Sequence, residues 1–441
     1  MKALHARPGA QSRPIFVPAP PAVHAEDMAE GADVLLEHPG PLGIPLWGAL
    51  RDFMLWVQAP MGERAALFGS GAGEARRAML AAVRDEPELW TPLLTLAQMT
   101  DAPERADHAR LVHAVRSVAR WAERKGTPAT RLAFTTAAAL ALPDQSTAAL
   151  EAARQARDLA RHAQAETWFR CAIRLARGRD WESYAWGFIG LGVLYRRAGN
   201  QPAARAVISR ALRAAHKRRL RGIAGTAHHH LFVFTSDTGR MDEAYYHANA
   251  AIRAYGPAHP RLPVLAHDLG VLWVNRGEFE RAIPVLEATL PLLGESAERV
   301  VVLANVARAS AAVGNRARYQ QARAEVGAAI EKPAFGSVAA EALLIVAHGD
   351  ASLGQWALAE ATARRAAELA DARGEAMVRT LAEAQVDAAR AENKLGSLDA
   401  AVGRPPRAPE AHPEQLEARA DTLALEVRAA LVRYAGCAAG A

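Results

Sequence analysis

Residues 188–212 read FIGLGVLYRRAGNQPAARAVISRAL, and the fold follows from that stretch. Phe188, Leu191 and Tyr195 recur at three- and four-residue steps, the spacing of one helix face. Gly199 breaks the run, and Ala204, Ile208, Ala211 and Leu212 resume the same period beyond it. Two antiparallel helices can approach closely where the facing side chains are small, as at Gly192 and Ala204. Large neighbours such as Phe188, Ile208 and Leu212 then fill the holes beside them. A glycine between the helices takes the left-handed turn that a Cβ resists.

The unit recurs. Gly199, Gly239, Gly277, Gly314 and Gly354 follow one another at intervals of 40, 38, 37 and 40 residues. Five residues beyond four of them stand Ala204, Ala244, Ala282 and Ala359. Seven before them come Gly192, Phe232, Gly270, Ala307 and Ala347, each preceded by Leu or Val. An aromatic lies four before the glycine in two copies, as Tyr195 and Trp273. Periodicity of this length marks a stacked-repeat architecture.

The pattern Phe188-x2-Leu191-Gly192-x2-Tyr195-x3-Gly199-x4-Ala204-x3-Ile208-x2-Ala211-Leu212 resembles the tetratricopeptide repeat (TPR) signature nearly position for position. Its lengthened units are similar to TPR arrays in some bacterial regulatory proteins. The resemblance covers roughly residues 145–372, with a degenerate earlier copy at Ala148–Leu175 that places Ala165, Phe169 and Ala172 in second-helix slots. It implies an all-α, right-handed superhelical solenoid of helix–turn–helix repeats. Three positions depart from the pattern. Tyr319 stands where alanine is expected, so its helix is expected to shift or bend. Asp350 stands where a core aromatic belongs, and Pro284 near a helix start should bend that helix slightly.

Composition agrees with helices throughout. The chain of 441 residues is rich in alanine and poor in aromatics (6%), which excludes a strand-rich fold. Residues 1–43 form a Pro/Ala-rich stretch expected as a flexible arm, in which Ile15-Phe16-Val17 could dock. Residues 44–142 carry helical patterns and are expected as an N-terminal helical domain. The solenoid follows over residues 143–397, then a Pro-rich linker at 398–413 and a C-terminal helix at 414–436, expected to cap the array, with folding back into its groove as the alternative. Residues 63–99 were considered for a helix-turn-helix, but GSGAG at 69–73 is too loose a turn and no basic recognition helix follows.

Charge and cysteine use restrict function. The formal net charge of +6 is modest and dispersed, and all but five of the 53 basic residues are arginine, as a GC-rich genome would give. Nucleic acid is therefore not the expected partner. Cys171 and Cys437 show no paired spacing for a zinc site, and two cysteines make no disulfide framework. No apolar stretch approaches a membrane span, and MKALHARPGA at the start lacks a signal-peptide core. A cytoplasmic, soluble protein is expected.

By the resemblance, the first helix of each unit lines the inner wall, where partners bind. The positions carried over are Arg196 and Arg197, then His229, Ser236 and Asp237, then His267 and Asn275, then Arg308, and finally Glu341 and His348. Such a polar wall suits a peptide or short acidic segment. Neighbours in His228-His229-His230 point ~100° apart on a helix, so they cannot chelate one ion; His228 is read as core and the others as wall. No glycine-rich phosphate cradle, HExxH motif or activated nucleophile is present, and no cofactor is expected. His216–Arg221 (HKRRLR) is read as a solvated helix end, and Tyr255–Asp268 as a stiff connection between repeats. The expected function is a non-enzymatic scaffold or adaptor for a peptide or protein. The alternative is a signal-responsive regulator, possibly linked to transcription, although the sequence shows no effector module.

Overall fold

The computed structural model describes residues 31–332, 335–373, 375–392 and 413–439. Most of the 1–43 arm, with Ile15-Phe16-Val17, and nearly all of the 398–413 linker lie outside the described residues. Every regular element among those described is helical. The chain divides into two compact units, Met1–Arg218 and Arg219–Ala441.

The first unit opens with α1 (Ala32–Glu37), α2 (Gly43–Gln58), α3 (Ala72–Met79), α4 (Pro87–Met99), α5 (His108–Lys125) and α6 (Pro128–Ala141). Two 3-10 turns, Met61–Ala66 and Leu80–Val83, flank α3. Phe53, Trp56, Leu89, Val115, Trp121 and Phe134 centre the core. Helix α1 falls inside the stretch expected as an arm. It is fixed because the Glu37 carboxylate accepts from the backbone N–H groups of Ala129 (3.0 Å) and Thr130 (2.7 Å). Those groups are open at the start of α6, while Val34 is fully buried.

Helix pairs begin next. In this unit they are α7 (Ser146–Asp158) with α8 (His162–Ala176), and α9 (Trp181–Arg197) with α10 (Gln201–Lys217). The degenerate copy is a real pair: Ala165, Phe169 and Ala172 are buried on α8. Ala160 takes the turn that glycine makes elsewhere, at φ 56°. The small-against-large rule is literal in α9. A Cβ on Gly192 would stand 2.3 Å from Ile208 Cγ1, and one on Gly190 2.1 Å from Phe169 Cε1.

The second unit stacks α11 (Arg221–Asp237) with α12 (Met241–Tyr255), α13 (Leu262–Arg276) with α14 (Phe279–Thr289), and α15 (Ala297–Ala312) with α16 (Arg316–Ile330). Then come α17 (Gly336–Ser352) with α18 (Trp356–Ala372), and α19 (Ala376–Arg390) packed against α18. Gly239, Gly277, Gly314 and Gly354 all sit at positive φ between paired helices. Pro284 lies inside α14, which is short and gives way to a 3-10 turn at Leu290–Leu292.

The last helix, α20 (Pro413–Ala439), does not close the end of the array as expected. It folds back against α12, α13 and α14. Leu416, Ala420, Leu423, Val427 and Leu431 form its buried stripe. Arg281 of α14 reaches Glu417 (2.7 Å) and Asp421 (2.8 Å), and Arg419 reaches Asp242 of α12 (2.6 Å). The reason is chemical: α12 and α14 present partners of complementary charge beside an apolar seam, and α20 carries the matching stripe.

Candidate functional site

In the second unit, consecutive first helices α11, α13, α15 and α17 place side chains of equivalent register next to one another. Arg308 and His348 each stand six residues before their turn glycine, and His229 and His267 each stand ten before theirs. Stacking brings these pairs into each other's electrostatic field. Burial lowers both His348 and His267 foremost, with the charge of Arg308 adding to it at His348 and His229 adding a little at His267.

Asp268 is the hinge of the upper cluster. Its carboxylate lies 2.8 Å from His229 Nε2, one repeat earlier, and 3.8 Å from Nδ1 of its own neighbour His267. Burial works to raise this carboxyl, but the hydrogen bond from His229 and the surrounding histidines outweigh it and hold it below the usual range. With Asp268 ionised and able only to accept, His229 Nε2 carries the proton. His229 Nδ1 stands 3.2 Å from the Tyr255 hydroxyl. His229 itself is 2% exposed, so its ring orients Asp268 from behind and does not itself front the wall. Burial lowers the His267 pKa, against the pull of Asp268 and Glu298.

The lower cluster is cationic. Arg308 donates to Asn275 Oδ1 at 3.0 Å. Burial brings its guanidinium down to about 10, still cationic at neutral pH. Burial and the charge of Arg308 push His348 down to about 3, so that ring is neutral. Desolvation by the neighbouring protein, and then the charge of Glu375, raise the Glu341 carboxyl. Among the described residues, His267 Nε2 and His348 Nε2 have no hydrogen-bond partner.

The remaining positions are more peripheral. Ser236 spends its hydroxyl on Val233 O at 2.8 Å within α11, and Asp237 is exposed at the end of that helix. Arg196 is half-buried at the end of α9 in the first unit, and the side chain of Arg197 lies outside the described residues. Sequence reading missed Asp268 and Tyr255. Adjacent helix residues diverge, which separates Asp268 from His267 but not from His229. The available signal was spacing, since His229 and Asp268 are 39 residues apart, about one repeat.

The histidine run resolves into separate environments. His228 is 4% exposed and lies 2.9 Å from His247 through their Nδ1 atoms. His230 is half-buried and stacks on His229 with ring centroids 6.2 Å apart. Among the described residues, no group of three or more His, Cys, Asp or Glu is placed to hold a metal ion.

The paired helices, their positive-φ glycines and the small-to-large contacts across each pair define a TPR-like helical-repeat protein. No protein-family model matches the chain, and no curated protein matches it. Among solved structures it is similar to a Rap protein complexed with competence and sporulation factor, at 10% identity and TM-score 0.41, over 83% of this chain and 99% of that one. Aspartyl phosphate phosphatase F from Bacillus subtilis is 11% identical, with TM-score 0.41 over 89% and 100%. BtubC from P. vanneervenii is 16% identical, with TM-score 0.38 over 50% and 90%. These likenesses are weak, and the repeat class stands on the helix pairs themselves. No helix among the described residues is long and apolar enough to cross a membrane.

Proposed function

We propose that the chain is a non-enzymatic scaffold or adaptor whose second unit holds an acidic peptide or protein segment along the wall of α11, α13, α15 and α17. The observation that carries the reading is the juxtaposition of cationic Arg308 with the neutral ring of His348, whose Nε2 has no hydrogen-bond partner. Buried polar groups are normally hydrogen-bonded, so such a nitrogen on a half-buried wall calls for an external partner. A carboxylate beside Arg308 gains charge-assisted hydrogen bonds where water is partly excluded. A neighbouring backbone N–H group of an extended segment can donate to the neutral ring.

The test is affinity capture from the protein's own cell lysate, with and without nuclease. Wild type is run beside Arg308→Gln and the control Arg105→Gln, whose side chain is 83% exposed in the first unit. A nuclease-resistant protein partner lost from Arg308→Gln and kept by the control supports the reading. A partner that vanishes with nuclease replaces it with nucleic-acid binding. A partner kept by both variants moves binding off this wall.

A further inference from the structure

The first unit holds a half-open cavity of about 280 Å³ between α2, α6 and α8, with the start of α1 at its rim. That is near the lower end of the range for small-molecule sites, with room for roughly nine waters at ~30 Å³ each. Its walls are mainly apolar, from Trp47, Leu50, Met54, Leu132 and Leu140. On α6 the lining includes the short side chains of Ala129 and Ala133, which leave room there.

Three polar atoms on residues lining this one cavity lack partners among the described residues: Trp168 Nε1, Arg51 Nε and Thr136 Oγ1. The Trp168 side chain is almost wholly buried, at 2% exposure. Its indole N–H can only donate. Arg51 is held in place, with Nη2 3.0 Å from Asp52 and its guanidinium 5.3 Å from the Trp47 ring centroid, leaving Nε–H unused. The charged residues of the lining are Arg51, Arg161 and Asp33. Arg161 and Asp33 pair with each other, and Arg51 shares Asp52 with Arg76, which leaves one cation in excess.

Leaving a buried donor unsatisfied costs about 1–3 kcal/mol, so an occupant whose acceptor meets these donors as their side chains shift toward it is favoured. The occupant needs an apolar body of roughly ten heavy atoms by the volume above, and an anionic acceptor able to take N–H donors. We propose that this cavity binds a small amphipathic carboxylate, its chain or ring against Met54 and Leu132 and its carboxylate toward Trp168 and Arg51. The site lies wholly in the first unit and is independent of the wall proposed above.

The experiment uses the full chain and three probes of equal length: octanoate, octanol and octylamine. Binding is followed by titration calorimetry and by tryptophan fluorescence, since Trp47 and Trp168 line the site. Saturable one-to-one binding of octanoate, with octanol weaker and octylamine absent, is expected. Trp168→Phe keeps the ring and removes the N–H, and Arg51→Met keeps the stem and removes the donors. Each should weaken octanoate by about tenfold or more, while octanol changes little and circular dichroism stays helical. Should either variant fail to fold, Thr136→Val and the selectivity among the three probes still decide. No saturable octanoate binding by wild type means a water-filled hole and overturns the proposal. Equal binding of octanoate and octylamine, or octanoate affinity unmoved in every folded variant, overturns it as well.

Discussion

Tyr319 donates its hydroxyl to the carboxylate of Asp350, and both side chains are buried, at 2% and 0% exposure. The ring lies so close to α17 that a Cβ on Gly349 would stand 3.2 Å from Tyr319 Cε2. Two departures from the repeat pattern thus compensate for each other. The aromatic missing from its slot on α17 is supplied from α16, and the aspartate in that slot accepts its hydroxyl. Thr362 adds a hydrogen bond at 2.9 Å and Arg323 another at 3.3 Å. Burial raises the Asp350 carboxyl, and these donors offset only part of that.

Tyr319→Phe therefore removes a donor from a buried acid while keeping the ring. A loss of about 1–2 kcal/mol is expected, read as a lowered denaturation midpoint by circular dichroism. Tyr319→Ala should cost more, about 3–5 kcal/mol, because the aromatic slot then empties. Equal losses for the two variants would show that the hydrogen bond, and not the ring, sustains the contact.

Close approach of paired helices predicts the cost of adding one methyl. On Gly270 a Cβ would stand 2.4 Å from Leu286 Cδ2, and Leu286 is fully buried with nowhere to move. Gly270→Ala should destabilise by about 1–3 kcal/mol. The double variant Gly270→Ala/Leu286→Ala should lose less than the sum of the two single losses. Additive losses would mean that the helices separate instead of clashing.

Ala160 makes at φ 56° the turn that glycines make in later repeats. Ala160→Gly should stabilise the first unit by up to about 1 kcal/mol, the relief of left-handed strain less the added freedom of the unfolded chain. Gly277→Ala, at φ 79°, should destabilise by about 1 kcal/mol for the converse reason. Thermal unfolding of the two variants should move in opposite directions.

Acid should weaken the second unit before its carboxylates titrate. Histidine in an unfolded chain titrates near 6.5, whereas burial beside Arg308 holds His348 at about 3 in the fold. Between those values the unfolded chain binds more protons, so stability falls as pH drops from 6.5. His267, lowered by burial and facing Asp268, Glu298 and His229, adds a loss of the same sign. His348→Gln should flatten the profile between pH 6.5 and 4.5 by about 1–2 kcal/mol, since solvent reaches part of the ring. An unchanged slope would place the titrating group elsewhere.

Helix α20 is held by an apolar stripe and by Arg281, which faces both Glu417 and Asp421. Leu423→Ala should cost about 2–4 kcal/mol, and Leu423→Asp should release the helix. Limited proteolysis would then cut α20 while leaving α11–α19 resistant. Resistance of α20 in Leu423→Asp would mean that the charged contacts suffice.

The sequence alone determined the helix pairs, their turn glycines and the small-to-large rule, down to the degenerate pair around Ala165. Those features are local: a face repeats every three or four residues, and a turn needs its own backbone conformation, so one strand of text records both. Tertiary structure decided which residues meet across repeats. His229 holds Asp268, Tyr319 fills the slot over Asp350, and α20 returns to α12–α14 across about 140–180 residues of chain. The angle at which neighbouring pairs stack sets those meetings, and it arises from the summed fit of many side chains that no single spacing encodes. The cavity between α2, α6 and α8 belongs to the same class, because a void and its unpartnered N–H groups exist only once three helices have taken their places.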